Sequence, residues 1–144
     1  AAGGWWACAG AAGAWHADRL HGGGVITVLY FDGDADNPND SSIVLRLDYG
    51  ETSYLFTGDI GFAVEYVLFS EYPDMLDVYV LKVAHHGSAY STSMNFLGRV
   101  TPEISVISVG ENDYGHPNQN TLDRLNAFSN AVYTTWDDGD VVVT

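Results

Sequence analysis

An α/β fold, a sheet covered by helices on at least one face, is predicted by three features of the sequence. From Val25 onward, β-branched runs with alternating or continuous apolar character read as strands. Segments with helical apolar spacing fall between them, the order expected of a layered domain. Polar clusters, each with a glycine, interrupt the pattern where apolar strands end, the edge at which such sheets bind ligands.

The strands begin with VITVLYF from Val25, followed by the turn-rich loop DGDADNPND. SSIVLRLDYG and ETSYLFTGD form a predicted hairpin that turns at Tyr49-Gly50. Residues Gly61 to Ser70 place apolar side chains at helical spacing. VYVLKVA is a near-continuous apolar run, as in a strand buried on both faces. SMNFLGRV is a short helix candidate begun by a Ser/Thr cluster, and ISVISV is a further buried strand. Asn120 to Ala127 reads as a helix with Thr121 available as its N-cap. AVYTTW and DVVVT read as a closing hairpin across Asp137-Asp138-Gly139. The predicted order is β-β-β-α-β-α-β-α-β-β, without internal repeat and without a domain boundary after Val25.

A length of 144 residues suffices for one domain with a core, and 47% hydrophobic against 17% charged residues excludes general disorder. No apolar stretch reaches the length of a membrane span. Nineteen acidic residues face five basic ones, Lys82 being the only lysine, for a formal charge of -14. That field repels nucleic-acid phosphates and anionic membranes, favours divalent cations, and suits a high-salt environment. Tight nucleic-acid binding is not expected. The single cysteine, Cys8, excludes an internal disulfide.

Residues 1–24 form a lead segment apart from the domain proper, 25–144. Its first fourteen residues include eleven Ala or Gly and no charge, which reads as a linker outside the fold. It has neither the basic start nor the solid apolar run of a secretory signal.

The polar clusters are Thr57-Gly58-Asp59, His85-His86-Gly87-Ser88 and Tyr114-Gly115-His116-Pro117. A carboxylate and several imidazoles converging at one sheet edge suit zinc or manganese. Alone, Asp59 could equally cap the following helix, the two histidines could be one buried and one exposed, and His116 could be a turn residue. All three clusters in this order make a stronger pattern than any one of them.

The stretches NDSSIVLRLDYGETSYLFTGDI, Glu65, LKVAHHGSAYSTS and PEISVISVGENDYGHPNQNTLDRL resemble the metallo-β-lactamase domain of ComEC-type DNA-uptake (competence) proteins, over roughly five-sixths of the chain. The resemblance implies a metallo-β-lactamase αββα sandwich of two similar βα halves, of which the C-terminal half is represented here. It implies a metal centre of about one or two zinc or manganese ions in the cleft between the halves. Asp59 matches the aspartate that bridges two metals. His85 matches a late histidine ligand, and the doubled histidine leaves His86 as the alternative ligand or as a catalytic partner. His116 matches the YGHP histidine, expected beside the substrate as proton donor or oxyanion stabiliser. Ser88 and Tyr114 belong to the same motifs. Asn39 or Asp40 lies where many superfamily members carry another histidine ligand.

The superfamily's first metal motif, HxHxDH or HxDxDH, has only a distant counterpart in WHADRLHGGG, with Leu20 where the aspartate would be. Val25 begins a strand almost at once, so His16 and His21 are read as an accidental match and the segment as a turn entering the first strand. The expected partner is therefore the N-terminal half of the domain or a second subunit. The resulting functional expectation is a metal-dependent hydrolase of the phosphodiesterase or nuclease-like kind, with single-stranded DNA as candidate substrate. If it is ComEC-like, it works on the extracytoplasmic side of the membrane. The alternatives are a degenerate, non-catalytic module that gates or scaffolds a larger assembly, and a β-lactam or thioester hydrolase on the same fold.

Overall fold

A computed structural model describes residues 15–143, with side chains from Asp18 onward. The Ala/Gly-rich residues 1–14 lie outside the described residues. The strands are β1 (Trp15–Arg19), β2 (Val25–Tyr30), β3 (Val44–Tyr49), β4 (Thr52–Phe56), β5 (Val80–Lys82), β6 (Ile104–Ile107) and β7 (Ala131–Thr134), and the helices are α1 (Phe62–Glu71), α2 (Met94–Val100) and α3 (Gln119–Phe128). The strands form one seven-stranded sheet in sequence order. The first four pair antiparallel, β1–β2 and β3–β4 through short turns and β2–β3 across the loop of residues 31–43. From β4 to β7 the pairing is parallel, and each return passes through one helix. This is the mixed sheet expected when hairpins give way to βαβ units.

The alternation along the strands sorts the faces. Leu55, Leu81 and Ile107 point to one side, where they form a single buried cluster with Val64 and Leu68 of α1, Phe96, Leu97 and Val100 of α2, and Leu125 of α3. Tyr54, Phe56, Val80, Lys82 and Val106 point to the other side and line a groove with Val141 and Val143. All three helices thus pack on one face. The opposite face carries apolar side chains, with Phe56 and Tyr133 each 39% exposed. The described residues make up one sheet layer and one helix layer, as in half of an αββα sandwich.

Two of the three helices start where a side chain satisfies a free backbone N–H group, while α1 follows Gly61 without a side-chain cap. Ser93 caps α2, its Oγ accepting from Phe96 N at 3.2 Å. The cap of α3 is Asn118, whose Oδ1 accepts from Asn120 N at 3.0 Å, and not Thr121. Thr121 is buried within the helix and donates to the carbonyl of Ser88 at 2.8 Å.

Two further expectations are corrected. The segment before Val25 is not simply a turn: Trp15–Arg19 is a strand that pairs antiparallel with β2 around the turn at residues 20–24. The closing hairpin does not form among the described residues. AVYT pairs parallel with β6, and residues 141–143 lie against the open sheet face without strand pairing. A short apolar run reads as a strand by periodicity alone, but only tertiary packing shows whether it has a neighbour to pair with.

Candidate metal-binding and catalytic edge

The carboxyl ends of β4, β5 and β6 lie side by side because these strands run parallel. Each leads directly into one of the polar segments. After β4, Thr57 is fully buried and donates from Oγ1 to the carbonyl of Lys82 at 2.7 Å, pinning this loop to β5. Gly58 follows with φ +55, and a Cβ there would lie 2.7 Å from Ser42 Cβ. Only glycine fits that turn, which turns Asp59 out of the strand. The Asp59 amide donates to Ser42 Oγ at 3.0 Å. Asp40 Oδ1 accepts from Gly61 N at 3.2 Å. Asp40 therefore braces the aspartate loop from the side. Asn39 sits in a short 3-10 turn, its amide bonded to Asn37 Oδ1 at 3.1 Å.

After β5, both histidines take left-handed backbone angles, φ 50 for His85 and 53 for His86. This conformation is uncommon for residues with a Cβ and marks a local constraint. It is held in part by the bond from His85 N to Gly58 O at 3.0 Å, which ties the histidine turn to the aspartate loop. Gly87 (φ +81) packs so closely on Pro117 that a Cβ would stand 2.7 Å from the proline Cβ. Ser88 is buried, and its Oγ accepts from Tyr90 N at 3.3 Å, so it shapes the loop.

His86 Nε2 stands 3.6 Å from Asp59 Oδ1. Its Nδ1 is 2.6 Å from the carbonyl of Ser108. A carbonyl only accepts, so Nδ1 carries a proton, and Nε2 is the ring nitrogen turned towards the carboxylate. A proton on Nε2, or a cation between the two atoms, satisfies both at that distance. Metal-binding imidazoles characteristically donate their other nitrogen to a backbone carbonyl in this way. The His85 ring lies between its neighbours, 6.4 Å centroid to centroid from His86 and 5.6 Å from His116.

His116 follows β6 in a loop organised by Asn112. The Asn112 Oδ1 accepts from Tyr114 N at 3.0 Å and His116 N at 3.1 Å, while its Nδ2 donates to Gly110 O and His116 O, each at 2.8 Å. His116 Nδ1 is buried without a hydrogen-bond partner. Burial, then the neighbouring His85 and His86, push the His116 pKa below the usual histidine value. Tyr114 is exposed and stacks beside the His116 ring at 6.0 Å. Lys82, half-buried at the end of β5, has its pKa lowered by burial, with Asp59 acting in the opposite direction.

The sequence reading thus named residues that the fold brings to one edge: Asp59, His85, His86, His116 and Tyr114, with Asp40, Asn39 and Ser88 in the supporting loops. It missed Asn112, although an Asn two residues before a Tyr-Gly turn is a recognisable turn-forming signal. His21 stands apart. It lies in the turn between β1 and β2, and β2 runs from that turn towards the loop carrying Asp40, so His21 is at the opposite end of the sheet from Asp59. In kind, the carboxylate and imidazoles fit a zinc or manganese centre. In number they fall short, because among the described residues no three His, Cys, Asp or Glu side chains are arranged to hold one ion.

Residues 31–111 match the metallo-beta-lactamase superfamily. The chain is similar to ComE operon protein 3 of Bacillus subtilis (strain 168), 36% identical over 109 residues that make up 75% of this chain and 14% of that protein. It is similar to Recombination protein 2 of Haemophilus influenzae, 37% identical over 73% of this chain and 13% of that protein. It is also similar to Competence protein ComA of Neisseria gonorrhoeae, 40% identical over 62% of this chain and 13% of that protein. The chain therefore spans only a small part of the length of these relatives, and no described helix is long and apolar enough to cross a membrane. The matched span contains Asp59, His85 and His86, and the chain belongs to the metallo-β-lactamase superfamily, with relatives among the ComEC-type competence proteins.

Proposed function

We propose that this chain is part of a metal-dependent hydrolase domain that cleaves phosphodiester bonds in single-stranded DNA during competence DNA uptake, on the extracytoplasmic side of the membrane. The observation that carries this reading is the approach of His86 Nε2 to Asp59 Oδ1 while His86 Nδ1 is committed to a carbonyl. Asp59 with His86, or with the adjacent His85, would hold zinc or manganese. Such an ion, when bound, lowers the pKa of a water and polarises the bond to be attacked. The donors still needed would come from a second βα unit, either the domain's N-terminal half or a second subunit, packed on the apolar sheet face that carries Phe56 and Tyr133.

The protein's own groups supply the rest. His116, with its lowered pKa, is held neutral at neutral pH, so its ring offers one donor and one acceptor beside the histidine pair. Tyr114 leaves its ring exposed next to it, where a base or sugar can contact it. A net charge of -14 opposes tight binding of DNA by the surface, so the substrate contact is confined to the cleft.

The shortage of ligands among the described residues favours a second reading, a non-catalytic module that gates or scaffolds a larger assembly. The test is metal content by mass spectrometry together with cleavage of a fluorescent single-stranded oligonucleotide. Both are measured on this chain alone and on the longest natural polypeptide containing it. Metal uptake with manganese- or zinc-dependent cleavage by the longer polypeptide supports the hydrolase. A longer polypeptide that is folded, metal-free and inert establishes the module.

A further inference from the structure

Two charged side chains outside the cleft have no role in the chemistry above: Glu65 on α1, fully buried, and Arg124 on α3. Both are spent on the same loop. The Glu65 carboxylate accepts from the amide of Thr92 through Oε1, and from the amide of Ser93 through Oε2 at 2.9 Å. Arg124 donates to carbonyls of that loop: Nε to Thr92 O at 2.8 Å, and Nη2 to Ser91 O at 2.9 Å and Ala89 O at 3.4 Å. Thr92 is thus held by a carboxylate at its amide and a guanidinium at its carbonyl. Its φ is +59, a strained value for a β-branched residue that persists only when its surroundings dictate it.

The hold reaches the histidines through short steps. Ser91, the residue before Thr92, donates from Oγ to the carbonyl of Ala84 at 3.1 Å, immediately before His85. The same Oγ lies 3.2 Å from Ser88 O, which also accepts from Thr121 Oγ1 at 2.8 Å. Arg124 Nη2 in turn donates to Thr121 Oγ1 at 2.9 Å. The N–H of the same peptide unit, His85 N, is bound to Gly58 O beside Asp59. The left-handed turn at His85, His86 and Gly87 is therefore fixed at its start by the aspartate loop and Ser91, and at its end by the bonds of Ser91 and Thr121 to Ser88 O.

We propose that Glu65 and Arg124 are positioning residues that together set the His85–His86 turn against Asp59, gripping its loop by the amides from α1 and by the carbonyls from α3. The proposal rests on reading His85 and His86 as residues of the site. Glu65→Gln is the informative change. It keeps shape and polarity but replaces one acceptor oxygen with an NH2 group that faces another N–H donor. Arg124→Lys keeps the charge but loses the planar fork that reaches several carbonyls at once.

The test uses NMR on the isotopically labelled full chain, comparing wild type, Glu65→Gln, Arg124→Lys and a reference core variant, Leu29→Ala, with melting temperature measured for each. Amide exchange at residues 84–93 and the imidazole resonances of His85 and His86 are read in metal-free buffer. A positioning role predicts exchange faster by at least about tenfold at 84–93, with displaced His85 and His86 resonances, while β2–β4 stay protected. Leu29→Ala should show neither local effect, whatever its melting temperature. Unchanged loop exchange and resonances in a folded Glu65→Gln or Arg124→Lys, or the same changes in Leu29→Ala, overturn the proposal. If one of the two variants does not fold, the other decides. Oligonucleotide cleavage is scored separately, so an inert wild type would count against the hydrolase reading while leaving the loop result to be judged on the exchange data.

Discussion

His86 Nε2 faces Asp59 Oδ1 across 3.6 Å, with the opposite ring nitrogen committed to the carbonyl of Ser108. The arrangement brings a ring nitrogen and a carboxylate oxygen together at the ends of two parallel strands, a geometry that a cation can bridge. Asp59 contributes little to packing, since its side chain is 39% exposed and its loop is held by backbone contacts to Ser42 and Asp40. Asp59→Ala should therefore abolish metal-dependent hydrolysis while changing stability by less than about 0.5 kcal/mol. Cleavage assays paired with thermal melts check this, and surviving activity would remove Asp59 from the site.

Gly87→Ala should be damaging well beyond the loss of a little flexibility. The new Cβ would meet Pro117 Cβ at 2.7 Å and Cα at 3.1 Å, on a backbone with φ +81. Strain and overpacking together should cost about 1–3 kcal/mol. Because this contact joins the histidine turn to the His116 loop, thermal melts should show the loss and the His116 resonances should move. An unaltered melting curve would mean the two loops are not in register as described.

Glu65 gives a pH signature. Burial raises its pKa above the ordinary value of 4.5, against the opposing influence of the Ser93 and Thr92 hydrogen bonds and of Arg124. A carboxyl whose folded pKa exceeds its unfolded one gives its full stabilising contribution below the unfolded value and loses it as pH rises through the folded value. The stability of wild type relative to Glu65→Gln should therefore fall as pH is raised from about 4.5. Urea unfolding of both proteins across that range measures it. A difference that grows with pH would show that the two amides and Arg124 outweigh burial.

Salt should stabilise the fold. The formal charge of -14 makes the compact state self-repelling. Screening shortens the Debye length from about 30 Å at 0.01 M to about 3 Å at 1 M. The melting temperature should rise over that range in sodium chloride. A fall would mean that local ion pairs such as Arg46–Asp48, at 2.7 Å, matter more than the overall repulsion.

Much of the fold was legible because its signals are local. Alternation in VITVLY, the Tyr49-Gly50 turn and the Ser93 cap each act within a few residues. The errors fall where the deciding partner is distant in sequence. Trp15–Arg19, polar at three of its five positions, becomes a strand because β2 offers it an edge, whereas the wholly apolar residues 141–143 find none. Thr121 looked like a cap, but its hydroxyl is claimed by Ser88, far away in the chain.

The site divides in the same way. The candidate side chains are legible in the sequence: one aspartate after a strand, two adjacent histidines after the next, a third beyond the one after that. The order of strands then places them on a common edge, since parallel neighbours end together. Tertiary structure alone decided that His86 is the ring that faces Asp59, that His116 keeps a buried, unpartnered Nδ1, and that Glu65 and Arg124 grip one loop from opposite sides. Which ring turns towards a carboxylate depends on left-handed backbone angles and on the Ser108 carbonyl that accepts from His86, and no local pattern of residues encodes those contacts.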